Sequence, residues 1–201
     1  MNLSTRWTEL SAKIPLGTNL LAVSKGQPAS SIRQLYELGQ KDFGESRLQE
    51  ASMKFIELSD LEKISWHFIG RLQANKVRGI VKSFSVIHSV DSLRLAERIS
   101  RIALEEERII KVMMQVKFLE DPNKCGFEPN HLKEAMPKLL ELPSLQLIGL
   151  MTMPPLNLPK KQRFALFKEC REMADSFGLK ECSMGMSSDW IEAIEAGSTW
   201  L

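Results

Sequence analysis

What the chain lacks narrows its reading first. Its three cysteines, Cys125, Cys170 and Cys182, are an odd number without a C-x-x-C spacing, which argues against a disulfide framework and suits buried thiols in a reducing, cytoplasmic interior. The amino terminus has no apolar signal region, and no run approaches the roughly 20 residues that span a bilayer. No membrane partner is therefore expected. Neither sign of charge is in excess: 27 basic and 25 acidic residues are interspersed, leaving no electrostatic footprint for nucleic acid. The short basic clusters at 76–78 and 160–163 read as solvated helix faces. His67, His88 and His131 lie in separate elements without ligand spacing, against a zinc site. A G-x-S-x-G elbow, a P-loop and a G-x-G-x-x-G fingerprint are all missing, so Ser-His-Asp chemistry has no visible parts. No repeat, low-complexity segment or linker divides the chain, and residues 1–201 are expected to form one domain.

What is present alternates. With 43% hydrophobic residues among 201, the chain can bury one sizeable core. Leu3, Trp7, Leu10 and Ile14 recur at helical spacing and predict an extra helix ahead of the first strand. The apolar run Leu20 to Val23 then predicts a buried strand that ends in Ser24-Lys25-Gly26. Helices are predicted from about Ala29 to Leu38, Leu48 to Leu58, Leu93 to Leu104, His131 to Leu140, Lys160 to Phe177 and Asp189 to Ala196. Strands are predicted at 42–45, 64–70, 85–90, 109–118, 145–153 and 181–186. Strands separated by helices imply parallel pairing with right-handed crossovers. Seven strands and the first residues of an eighth at 197–201 predict a single α/β domain, a (β/α)8 barrel whose eighth strand is truncated.

A barrel gathers its chemistry at the carboxyl ends of the strands. Lys25 stands at the end of the first strand, where an amine of lowered pKa can attack a carbonyl and form a Schiff base; a strand-end lysine is otherwise a solvated surface group. At the end of strand seven, Ser183-Met184-Gly185-Met186-Ser187-Ser188 runs through small residues into a helix. Backbone N–H groups and the serine hydroxyls there could hold a phosphate, or Ser187 or Ser188 could simply cap the helix. Strands one and seven are separated only by strand eight, so an aldehyde that also carries a phosphate could reach both. His67 alternates with Trp66, so one of the two faces the interior and the other the helices. Met151, Met153, Met184 and Met186 suit either core filling or the face of an aromatic ligand.

The ordered motifs Ala22-Val23-Ser24-Lys25, Phe43-Gly44-Glu45, Trp66-His67-Phe68-Ile69-Gly70 and Leu72-Gln73-Ala74-Asn75-Lys76 carry a resemblance, with Ser89-Val90-Asp91, Gly149-Leu150-Met151, Ser183-Met184-Gly185-Met186-Ser187 and Ala196-Gly197-Ser198-Thr199. Through them nearly the whole chain resembles the pyridoxal phosphate homeostasis proteins (the YggS/PROSC family), most closely the PipY-like members. The resemblance implies a barrel like the amino-terminal domain of alanine racemase. It also implies pyridoxal 5'-phosphate held as an internal aldimine on the residue matching Lys25, with Ser187 a phosphate ligand. The candidate cofactor-binding residues are thus Lys25, Ser46, His67, Met184, Gly185, Met186, Ser187 and Ser188, with no catalytic residue and no metal. Two departures stand out: the family's asparagine after Phe-Gly-Glu is Ser46 here, and its closing Arg-Ile-Gly-x-Ala-x-Phe-Gly segment has no counterpart before Leu201. That segment supplies the other half of the phosphate cup and an arginine facing the pyridine nitrogen.

Such an arginine would leave the pyridine nitrogen unprotonated and the cofactor a poor electron sink. The expected function is a cytoplasmic protein, monomeric, that carries or buffers pyridoxal phosphate for vitamin B6 and amino-acid balance without strong catalysis. Transient contact with enzymes that require the cofactor is the expected partnership. The alternatives are an amino-acid racemase-like enzyme and a regulatory interaction module with a vestigial cofactor site.

Overall fold

Apolar and β-branched runs become strands wherever helices can cover one face, and here every strand is followed by one. The computed structural model describes residues 2–121 and 124–201. Helix α1 (Leu3–Ser11) opens on Asn2, whose side chain accepts the backbone N–H of Thr5 at 2.8 Å and satisfies a donor that the first turn leaves unpaired. There follow β1 (Ala22–Val23), α2 (Ala29–Glu37), β2 (Asp42–Glu45), α3 (Leu48–Glu57), β3 (Ser65–Phe68), α4 (Val77–Ser83), β4 (Val86–Val90) and α5 (Leu93–Glu105). The chain continues with β5 (Ile110–Gln115), α6 (Pro129–Leu140), β6 (Leu145–Met151), α7 (Lys160–Ser176), β7 (Glu181–Ser183) and α8 (Trp190–Glu195).

The seven strands pair in parallel and in sequence order, β1 to β7. The ring is closed by residues 199–201. Trp200 forms parallel bridges to both Asn19 and Ser183, and Leu21 N donates to Leu201 O at 2.9 Å while Met184 N donates to Trp200 O at 3.1 Å. The expected first residues of strand eight therefore occupy that strand's place. On its other edge β1 is short, with only Ala22 and Val23 paired to Phe43 and Gly44.

Strand alternation sorts the two faces. Phe68, Ile87, Val112, Met114, Leu150 and Cys182 pack in one hydrophobic cluster with helical residues such as Ile80, Ile99, Leu132 and Phe167, each fully removed side chain contributing about 1.5–3 kcal/mol. Trp66 belongs to this outer face, its ring 4.8 Å from Phe55 of α3, so His67 is the inward member of the pair. Cys125, Cys170 and Cys182 are all free thiols, the last two buried. Among the described residues no helix is long and apolar enough to cross a membrane.

Several elements depart from the expected bounds, β3, β5 and β6 all being shorter than 64–70, 109–118 and 145–153. Strand β7 stops at Ser183 rather than 186, because Gly185 adopts φ +101°, outside the extended region. Helix α8 starts at Trp190, with Asp189 at the position before it.

Candidate functional site

Lys25 follows Ser24, the last residue tied to the sheet, whose N–H donates to Gly44 O at 2.9 Å. Ser24 is buried, and its hydroxyl donates to Glu45 Oε1 at 2.7 Å on the helix side of β2. Lys25 then enters a turn with Gly26, closed by Gln27 N donating to Ser24 O at 2.9 Å. Its side chain is exposed and has no hydrogen-bond or ionic partner among the described residues. With Ser46, Arg47 and Glu50 it lines an open pocket of about 310 Å³. The expected neighbours Lys25 and Ser46 are therefore brought together. Ser46 is held there by a glycine: a Cβ on Gly70 would lie 2.1 Å from Ser46 O.

The loop after β7 is built differently from a serine-capped helix. Asp189 is buried, and its Oδ1 accepts Met186 N at 2.6 Å, so neither Ser187 nor Ser188 caps α8. Both serines are exposed, and their hydroxyls and N–H groups have no partner among the described residues. Gly185 lets the loop approach α8, since a Cβ there would meet the Ala193 Cβ at 2.7 Å. Met184 is a core residue. Its N–H donates to Trp200 O and its carbonyl accepts Ser198 Oγ at 2.7 Å. Met186 is 45% exposed beside the serines, and Met151 is buried while Met153 is half-buried.

His67 lies inside the barrel with both ring nitrogens engaged. Nδ1 is 2.8 Å from His88 Nε2, and Nε2 is 3.0 Å from Ser65 Oγ and 3.2 Å from Asp42 Oδ1. His88 Nδ1 continues the chain to Ser183 Oγ at 2.9 Å. Trp200 packs beside the pair, 4.8 Å from the His67 ring. His67 thus bears on the mouth of the barrel through His88 and Ser183 instead of projecting into it. Among the described residues no cluster of three or more His, Cys, Asp or Glu side chains could hold a metal ion.

Several residues escaped the sequence reading. Lys54 is only 5% exposed and pairs with Glu45 Oε1 at 2.7 Å and Glu50 Oε1 at 2.8 Å. Burial alone would lower its pKa, but the carboxylates of Glu45 and Glu50 outweigh that and raise it. The signal was there to find: on α3, Lys54 lies between Ala51 and Leu58 on the apolar stripe, where a lysine is out of place. Lys124 donates to the carbonyls of Met153 and Pro154 and binds the β5 loop to the end of β6. Burial lowers its pKa, opposed by Asp121 and Asp189.

These residues fit a ligand with an aldehyde at one end and a phosphate at the other. An unengaged amine stands at the end of β1. On β7, the next full strand beyond the closing segment, two hydroxyls and free N–H groups follow a loop whose glycine could not carry a side chain.

Comparison with known proteins gives the family. A family model described as alanine racemase, N-terminal domain, matches residues 1–201. The pyridoxal phosphate homeostasis protein of Synechocystis sp. is 42% identical over 201 residues, covering 97% of this chain and 92% of that protein. The protein of the same name from Pseudomonas aeruginosa is 40% identical over 189 residues, covering 93% and 82%. Among solved structures, PipY of Synechococcus elongatus with PLP bound superimposes with a TM-score of 0.95 at 44% identity, covering 99% of this chain and 96% of that one. An alanine racemase of Clostridium difficile gives a TM-score of 0.72 at 18% identity, covering 90% of this chain and 50% of that one; this likeness is one of fold alone.

Proposed function

The chain belongs to the alanine racemase N-terminal domain family and, within it, to the pyridoxal phosphate homeostasis proteins, and on that premise we propose that it holds pyridoxal 5'-phosphate on Lys25. The observation that carries this reading is the unengaged Lys25 amine at the mouth of a barrel that matches a PLP-bound relative at 44% identity. When bound, the cofactor supplies an aldehyde carbon with which a primary amine condenses, releasing water. Lys25 provides the amine from a short turn. Ser187 and Ser188 provide hydroxyls and N–H groups for the phosphate, and Gly185 keeps that loop close to α8. Ser46 lines the wall beside Lys25, and Met186 offers an apolar contact near the serines. His67 supports the floor through His88 and Ser183.

The same geometry favours carriage over turnover. Reversible amino-acid chemistry needs an acid or base poised on the face opposite the lysine, and His67 and His88 have their nitrogens engaged with each other, Asp42, Ser65 and Ser183. We read the protein as a single cytoplasmic domain, monomeric, that buffers a reactive aldehyde and passes it to enzymes that need it. Borohydride reduction of the protein with pyridoxal phosphate, followed by peptide mass analysis, is expected to label Lys25; a label on another lysine, or none, would overturn the assignment. Incubation with single amino-acid enantiomers is expected to give no turnover above free cofactor. Clear racemisation would establish an enzyme instead.

A further inference from the structure

Strand β1 has two residues, so little of the sheet ladder is available to hold the turn in which Lys25 sits. The turn is held from behind. An ammonium has three donors and no acceptor, and Lys54 Nζ uses them on Ser24 O at 2.7 Å, Glu45 Oε1 at 2.7 Å and Glu50 Oε1 at 2.8 Å. Glu50 Oε1 also accepts the N–H of Gly26 at 2.5 Å. Glu45, fully buried, accepts the Ser24 hydroxyl through the same oxygen that meets Lys54, while its Oε2 has no partner among the described residues. The residue before Lys25 is therefore fixed at its carbonyl and hydroxyl, and the residue after it at its N–H. Between them, the Lys25 side chain has no partner among the described residues.

We propose that Glu45, Lys54 and Glu50 are positioning residues: they clamp the backbone on both sides of Lys25 so that its amine is presented to the cofactor from a fixed turn, and Lys54 is itself kept out of the condensation. This rests on the reading of Lys25 as the cofactor lysine.

Stability is a poor explanation for the cluster. A buried ion pair is often no more stabilising than apolar residues of the same volume, and a carboxylate with an unpartnered oxygen carries an uncompensated desolvation cost. What the three side chains share is that each bonds to Ser24, Gly26 or a group that does. Fixing the approach of a nucleophile lowers the entropic cost of forming its bond, and small displacements can cost large factors in reactivity. The clamp also separates two neighbouring lysines. Lys54, held protonated by Glu45 and Glu50, has no lone pair for an aldehyde.

The test uses the full chain, with pyridoxal phosphate titrated by its imine absorption, borohydride labelling, and hydrogen exchange at the Gly26 amide. Glu50 is partly exposed, with 28% of its side chain accessible, so Glu50→Ala is expected to leave a folded barrel. It should bind the cofactor about tenfold more weakly, the loss of roughly one hydrogen bond, with faster exchange at Gly26. Glu50→Gln retains an oxygen for the Gly26 N–H and should restore most of the affinity. The neutral pair Glu45→Gln with Lys54→Met avoids stranding a buried charge and should bind weakly while keeping its circular dichroism. Wild-type affinity and labelling in both Glu50→Ala and the double variant would overturn the clamp alone, as would Glu50→Gln binding no better than Glu50→Ala. A wild-type chain not labelled at Lys25 would overturn the parent reading, and the clamp with it.

Discussion

His67 Nδ1 and His88 Nε2 lie 2.8 Å apart inside the barrel, so the contact has room for one proton between them. Burial foremost, and the neighbouring His67 second, hold His88 well below the ordinary imidazole range. The folded protein keeps this ring neutral while the unfolded chain protonates it below about pH 6.5. The stabilising contribution is therefore complete above that pH and is lost as the pH falls toward the folded value, by up to about 1.4 kcal/mol per pH unit. Urea unfolding at pH 7.5 and 5.5 should show the decline, and His88→Asn should flatten it. An equally steep decline in the variant would assign the effect elsewhere.

The two serines of the β7 loop should distinguish the phosphate from the rest of the cofactor. Ser187→Ala with Ser188→Ala is expected to weaken binding of pyridoxal phosphate by about tenfold or more, because hydrogen bonds to a charged group are each worth about 1.5–3 kcal/mol. Unphosphorylated pyridoxal should be unaffected. Absorbance titration with both compounds makes the comparison, and equal losses would remove the phosphate role.

Backbone approach predicts two costly glycine substitutions. A Cβ at Gly70 would lie 2.1 Å from Ser46 O, and one at Gly149 would lie 2.1 Å from Glu181 O. Neither obstacle is a flexible side-chain tip. Gly70→Ala and Gly149→Ala should each destabilise by about 1–3 kcal/mol in urea unfolding. Gly70→Ala should also disturb Ser46 and hence cofactor affinity, whereas Gly149→Ala acts through the β6–β7 pairing.

Much of the architecture could be read from the chain because apolar runs, helical spacing and punctuating glycines and prolines all pointed the same way. Asp42-Phe43-Gly44-Glu45, between two helical stretches, is brief enough for an inner barrel strand, and it forms β2. The inward direction of His67 was not legible, since alternation gives two faces without naming them, and Trp66 decided the matter by packing on Phe55. The contact of His67 with His88 follows only once β3 and β4 are known to be neighbours. Ser187 and Ser188 were weighed as caps by residue type, but the residue before α8 is the buried Asp189, whose carboxylate accepts the N–H of Met186 in the loop and makes no capping bond to the helix. The place of Lys54 on the apolar stripe of α3 was legible, but its partners, Glu45 on a strand and Glu50 one turn away, are brought to it only by the fold.

Trp200 joins the closing segment to the interior, its ring 4.8 Å from His67 and 6.0 Å from His88. Trp200→Ala should cost about 3 kcal/mol or more through the void it leaves. It should also admit water to the histidine pair and reduce the acid-dependent slope of stability. A small loss with an unchanged slope would mean that the ring is closed by backbone alone.

The seam of the barrel sets the order in which it can be assembled. Every other strand pairs with its neighbour in sequence, but Asn19 meets Thr199 across a separation of 180 residues. Joining ends that far apart carries the largest chain-closure entropy in the sheet, so the seam is expected to form after the consecutive pairs are in place. Stopped-flow kinetics should then show that substitutions at Trp200 speed unfolding and leave the folding rate nearly unchanged. Lys25 stands a few residues beyond Asn19, in the turn after the strand that the seam completes. If Lys25 is the cofactor lysine, its turn is set in place beside Ser46 only once the seam has closed, so cofactor affinity should appear with the last folding phase.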